Sequence, residues 1–140
     1  MNVVQVLIAG LIGALAGYLI GQKRRIKRHG TPHDFTIHVK KAGSSYTSET
    51  TPKSERVRAG DGLEWRVQDH GSNKLPDGST VKLKFTNGSP VTPEEPNDRG
   101  TRTITASVKP RQQRGEYPYK VYYSVGGEDF MMEDPELIIE

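Results

Sequence analysis

The stretch YPYKVYY, residues 117–123, sets Tyr117, Tyr119, Val121 and Tyr123 on alternate positions. Period two belongs to an extended strand, whose successive side chains point to opposite faces, so these four residues share one face. A helix would distribute them around its circumference. The segment therefore reads as a strand with one side turned to a core.

Working outward, the same alternation recurs at Phe35, Ile37 and Val39, at Leu63, Trp65 and Val67, at Val81, Leu83 and Phe85, and at Ile104, Ala106 and Val108. Shorter candidates at Arg56–Ala59 and Glu136–Ile139 bring the expectation to about seven strands. Turn signals separate them: Ala59-Gly60-Asp61-Gly62, Pro76-Asp77-Gly78, Asn87-Gly88 and Gly126-Gly127. No stretch after Arg28 has the spacing of an amphipathic helix.

Two longer strings carry a family resemblance. VRAGDGLEWRVQDHG (57–71) resembles the segment of cupredoxin-like domains in which a Gly-Asp turn leads into a Trp-bearing strand, and RGEYPYKVYYSVGGEDFMMEDPELIIE (114–140) resembles their C-terminal strand, ligand loop and closing strand. The alternation and turns read as an antiparallel β-sandwich over residues 34–140, and the resemblance implies that it is cupredoxin-like or Ig-like. It also implies that no copper is held. The thiolate would fall at Val121, the chain has no cysteine, and the downstream histidine is absent although Met131 and Met132 stand where a weak axial ligand would sit.

The N-terminal end has a different character. Residues 3–21, VVQVLIAGLIGALAGYLIG, contain no charge, and as a helix they match the ~30 Å apolar thickness of a bilayer. Met1 and Asn2 alone precede them, which is not the basic flank of a cleaved signal peptide. The expectation is a transmembrane helix over 1–22, a basic juxtamembrane linker over 23–33 and the β domain thereafter. Ala9, Gly13, Gly17 and Gly21 recur every four residues, a groove on one helical face that admits close packing by another helix. Lys23, Arg24, Arg25, Lys27 and Arg28 then fit a lipid-headgroup anchor, and by the positive-inside tendency they place the N-terminus outside and the β domain in the cytoplasm of a bacterial-type inner or plasma membrane.

The formal net charge is +3 and the basic cluster supplies five positive charges, so the rest of the chain carries a net −2. A body of that balance is not a nucleic-acid binder, which needs a concentrated positive face. His29, His33, His38 and His70 match no zinc or iron spacing and read as surface or linker histidines; no metal or other cofactor is expected. GxSxG, P-loop and GxGxxG motifs are absent. Asp69, His70 and Ser72 share one loop, but proximity in sequence does not make a triad. The chain is expected not to be an enzyme.

Two segments read as partner contacts. Pro90, Pro93 and Pro96, at intervals of three within 89–100, suit an extended polyproline II stretch. Phe130, Met131 and Met132 are three consecutive apolar residues in an acidic loop, and an extended chain cannot turn all three into one core. Taken together, the features imply a non-catalytic structural or accessory subunit of an integral membrane complex. Its partners would be membrane lipids and other transmembrane subunits, in a hetero-complex rather than a homo-oligomer. The layout is analogous, in architecture only, to the photosynthetic reaction-centre H subunit. The alternative is an envelope-side, membrane-anchored binding or redox module of cupredoxin type.

Overall fold

Burial in the β domain follows the alternation of the sequence. A computed structural model describes residues 30–69 and 75–140. In β1 (Pro32–Ala42) the residues Phe35, Ile37 and Val39 are buried while their neighbours are not, and in β4 (Gly62–Asp69) Leu63, Trp65 and Val67 are buried in the same way. β2 (Ser45–Thr51) pairs with β1, β7 (Thr103–Val108) with β4, and the short β6 (Val91–Thr92) with β7. The first sheet thus runs β2-β1-β4-β7-β6.

The second sheet is organised by β8 (Gly115–Val125), the strand that contains YPYKVYY. β5 (Thr80–Phe85) lies along one side of it. β9 (Glu128–Glu133) and then β10 (Glu136–Ile139) lie along the other, and β3 (Ser54–Val57) adds to β10. β8 and β9 join through Gly126 and Gly127, both at positive φ (60° and 83°), the conformation a two-residue hairpin turn needs to follow the strand twist.

The facing sides of the two sheets form one core, in which Trp65, Tyr119, Tyr123, Phe35, Ile37, Leu83, Ile104 and Leu137 are fully enclosed. Phe35 stacks on Trp65 with ring centroids 4.8 Å apart. The Trp65 indole Nε1–H donates to the Tyr119 hydroxyl across the sheets at 3.1 Å, its ring edge-on to the phenol. Burial raises the Tyr119 pKa well above the ordinary phenol range, and Glu133 adds to this although the indole hydrogen bond acts the other way. The group stays a neutral acceptor.

Both flanks between the sheets are closed by side chains or loop backbone. On one, Ser48 and Thr50 of β2 donate to Glu133 of β9 at 2.8 and 2.6 Å, and Tyr46 packs edge-on to Tyr123 and Phe130. On the other, the loop after β6 lies on the outer edge of β5: Leu83 N–H donates to Pro96 O and Asp98 N–H to Val81 O, both at 2.9 Å. An edge that would otherwise offer free backbone groups is occupied.

Several expectations are corrected. The sandwich is not purely antiparallel: β1 with β4, and β3 with β10, are parallel pairs, so both sheets are mixed. There are ten strands among the described residues rather than about seven. β2 is polar and hairpin-paired, β6 is two residues long, and β9 carries the apolar triplet that had read as a loop; none of the three shows clean period-two hydrophobicity. The fold of the described residues is all-β, not a transmembrane helix plus a sandwich, and they include no helix long and apolar enough to cross a membrane. The helix expected over 1–22 lies outside the described residues.

The Trp65–Tyr119 pair makes a sharp comparison possible. Tyr119→Phe leaves a buried indole donor unpaired and is expected to lower stability by about 1–3 kcal/mol in urea denaturation. Tyr123→Phe removes a buried hydroxyl that has no hydrogen-bond partner among the described residues. Its midpoint is expected to stay the same or rise.

Candidate functional site

Of the residues singled out from the sequence, Ala9, Gly13, Gly17 and Gly21 and the cluster Lys23, Arg24, Arg25, Lys27 and Arg28 lie outside the described residues, as do His29, His70 and Ser72. The three prolines do not form a free recognition segment. Pro90 and Pro96 are buried and Pro93 is exposed. The carbonyls of Pro90 and Pro96 accept framework hydrogen bonds from Lys109 and Leu83, each at 2.9 Å. Val91 and Thr92 between them are in strand β6.

The apolar triplet divides as extended geometry requires. Phe130 faces inward against Tyr46 at 5.1 Å, while Met131 points outward and is 52% exposed. Met132 is half-buried at a bulge, where the pairing with β8 slips by one residue and lets Glu133 face inward as well. On the outer face Met131 sits beside Tyr122 and Tyr122 beside Lys82, one row across β9, β8 and β5; Lys84 and Lys120 form the next pair. Val121, where the resemblance would place a thiolate, is fully enclosed in the core.

Two buried carboxylates hold backbone rather than a ligand. Asp98 accepts from Val81 N–H and Gly100 N–H through Oδ1, each at 3.0 Å, and Arg102 lies 3.5 Å from its Oδ2. Arg102 in turn donates to Ser79 O, Ser79 Oγ and Pro76 O. The guanidinium is engaged on three oxygens, so among the described residues the ≈350 Å³ cleft beside it, lined by Val67, Asp69, Leu75, Asp77 and Gly100, has no free cation at its wall.

The second carboxylate is Asp61, in the Gly60-Asp61-Gly62 turn. Its Oδ1 accepts from Thr31 N–H and its Oδ2 from Arg58 N–H, each at 2.9 Å. His33 completes this group. Nε2 lies 2.8 Å from Asp61 Oδ2 and Nδ1 lies 2.9 Å from Glu55 Oε2, with the ring 13% exposed and Asp61 7%. Both ring nitrogens face carboxylates, an arrangement that suits the imidazolium, in which both donate. His33 was expected to be a surface histidine in a linker; it lies in β1 and ties that strand to β3 and to the β3–β4 turn. The partners are 22 and 28 residues away, beyond any local pattern, although an Asp between two glycines was a sign of a turn stabilised by its side chain. Groups of three or more His, Asp or Glu placed to hold a metal ion do not occur among the described residues.

No protein-family model matches the chain, and no curated protein matches it in sequence. Among solved structures it is similar to the "N-terminal domain of phage TP901-1 ORF48", at 12% identity and a TM-score of 0.41, over 79% of this chain and 98% of that one. A likeness this distant carries no functional argument.

The His33 clasp yields a pH prediction. Burial disfavours the charged ring, but the hydrogen bonds and negative charges of Glu55 and Asp61 outweigh it and raise the pKa above the ordinary 6.5. A folded-state pKa above the unfolded one adds stability that is complete below about 6.5 and is lost as pH rises through the folded value. The urea midpoint of the wild type is therefore expected to fall relative to His33→Gln between pH 6 and pH 9. Parallel curves for the two chains would show that the clasp is not titrating.

Proposed function

We propose that this β domain is a non-catalytic structural or accessory component of a larger protein assembly, which binds its partner through the outer face of β5, β8 and β9. The observation that supports the reading is the use made of the buried charge. Asp61, Asp98, His33 and Arg102 are each engaged in holding backbone or one another. A catalytic group needs a free proton-transfer or nucleophilic position facing a substrate. These have none.

The outer face offers what a partner surface uses. Three paired strands hold Met131 and Tyr122 side by side, with Lys82, Lys84 and Lys120 along one side and Asp129, Ser124 and Thr80 along the other, an apolar centre whose rim is basic on one side, on a scaffold that cannot easily deform. The matching surface would be an apolar patch edged by carboxylates.

Extraction of the full chain at its native level under mild conditions, followed by native electrophoresis, is expected to give one discrete species heavier than the chain alone. Met131→Asp is expected to release the free chain without altering its thermal midpoint, because the side chain is directed away from the core. Migration of the wild type as a lone monomer would refute the assembly role.

A further inference from the structure

A second surface lies at the far end of the same sheet, where β3, β8 and β10 end together. The parallel pair β3/β10 and the antiparallel pair β10/β8 place Arg56, Ile138 and Glu116 in one outward row. The next outward row is Arg58, Glu140 and Arg114, since Glu140 N–H extends the ladder by donating to Val57 O at 2.9 Å. Arg56, Arg58, Arg114, Ile138, Ile139 and Glu140 line a cleft of ≈620 Å³.

Three arginines therefore share one concavity with one carboxylate side chain. Glu140 accepts from Arg56 at 2.7 Å and neutralises one charge. Arg58 and Arg114 form no ion pair among the described residues. The acids nearest Arg58 in sequence are committed elsewhere: Asp61 to Thr31, Arg58's own backbone N–H and His33, and Glu55 to His33. Glu140 stands between Arg58 and Arg114 in that row, but its Oε2 is engaged by Arg56, so both guanidinium groups keep donors for an added anion.

We infer that this cleft is an anion-binding site for a phosphomonoester or diphosphate group, with Arg58 and Arg114 as the two free guanidinium forks and Ile138 as the apolar floor. Guanidinium groups suit this ligand because their paired N–H donors match two oxygens of one phosphate. The volume lies in the range of small-molecule sites and leaves room for the organic group that carries the phosphate. Glu140 sets a limit on charge, so a ligand of two or more negative charges is favoured over chloride or a single carboxylate.

The test uses the full chain and inorganic pyrophosphate as probe. Amide shifts on titration are expected to centre on residues 56–58, 114–116 and 138–140, with chloride at equal ionic strength giving none. Arg58→Gln/Arg114→Gln is expected to bind about tenfold more weakly or worse, and Glu140→Gln more tightly. Arg99→Gln, an exposed arginine outside the cleft, is expected to bind as wild type. Thermal midpoints of all variants should agree, because these side chains lie on the surface. Phosphatidylcholine vesicles with and without phosphatidic acid then separate the two sources of the ligand. Loss of sedimentation in the double variant, with residues 23–28 unchanged, identifies a lipid phosphate; unchanged sedimentation with weakened pyrophosphate binding identifies a free one. Pyrophosphate shifts that avoid the cleft, or wild-type affinity in the double variant, would overturn the assignment.

Discussion

The hydrogen bond from the Trp65 indole to the Tyr119 hydroxyl links the central strands of the two sheets at the middle of the core. Neither group could be enclosed alone without leaving a polar atom unpaired, and that penalty makes the approach of the two sheets specific as well as favourable. Phe35 stacks on the indole and Phe85 packs against the phenol at 5.1 Å, so the aromatic centre extends through both sheets. Register elsewhere follows. A shift of one residue in β4 or β8 would turn Trp65 or Tyr119 to solvent and break the bridge.

Around that centre the polar interior is used to close the structure. Glu133 joins β9 to β2 and Asp98 joins its own loop to β5, while Asp61 with His33 and Glu55 joins the start of β1 to β3 and the turn after it. Each carboxylate accepts from hydroxyls, backbone N–H groups or an imidazole, which offsets its removal from water, while the second oxygen of Asp98 has only the Arg102 charge at 3.5 Å. The consequence for function is that the buried ionisable groups serve the framework. Among the described residues the proposed contacts therefore fall on the surface, at the Met131–Tyr122 row on one part of the second sheet and at the arginine cleft on another.

The strands whose alternation is clean were legible in the sequence, and so was their side of the core. Phe35, Ile37, Val39, Leu63, Trp65, Val67, Val81, Leu83, Ile104, Val108, Tyr119, Val121 and Tyr123 are all buried. β2 was not legible because its inward residues are Tyr46, Ser48 and Thr50, two of them hydroxyls that meet Glu133 rather than hydrocarbon. β9 lacks a legible period because a bulge interrupts its alternation at Met132. The proline series suggested a recognition segment, yet Pro90 and Pro96 are buried by the framework their carbonyls serve.

By itself the sequence determined which side chains seek the interior, since period-two hydrophobicity is a local property of the chain and solvent acts on each residue separately. It also determined the chemistry that cannot occur in this chain, because without cysteine there is no thiolate ligand or thiol nucleophile. Tertiary structure alone decided the direction of pairing, parallel for β1 with β4 and for β3 with β10, because strand direction depends on where the intervening chain returns. It alone brought His33 to Glu55 and Asp61, and Arg56 and Arg58 to Arg114. Those groups meet across dozens of residues, and their charges interact through space rather than along the chain.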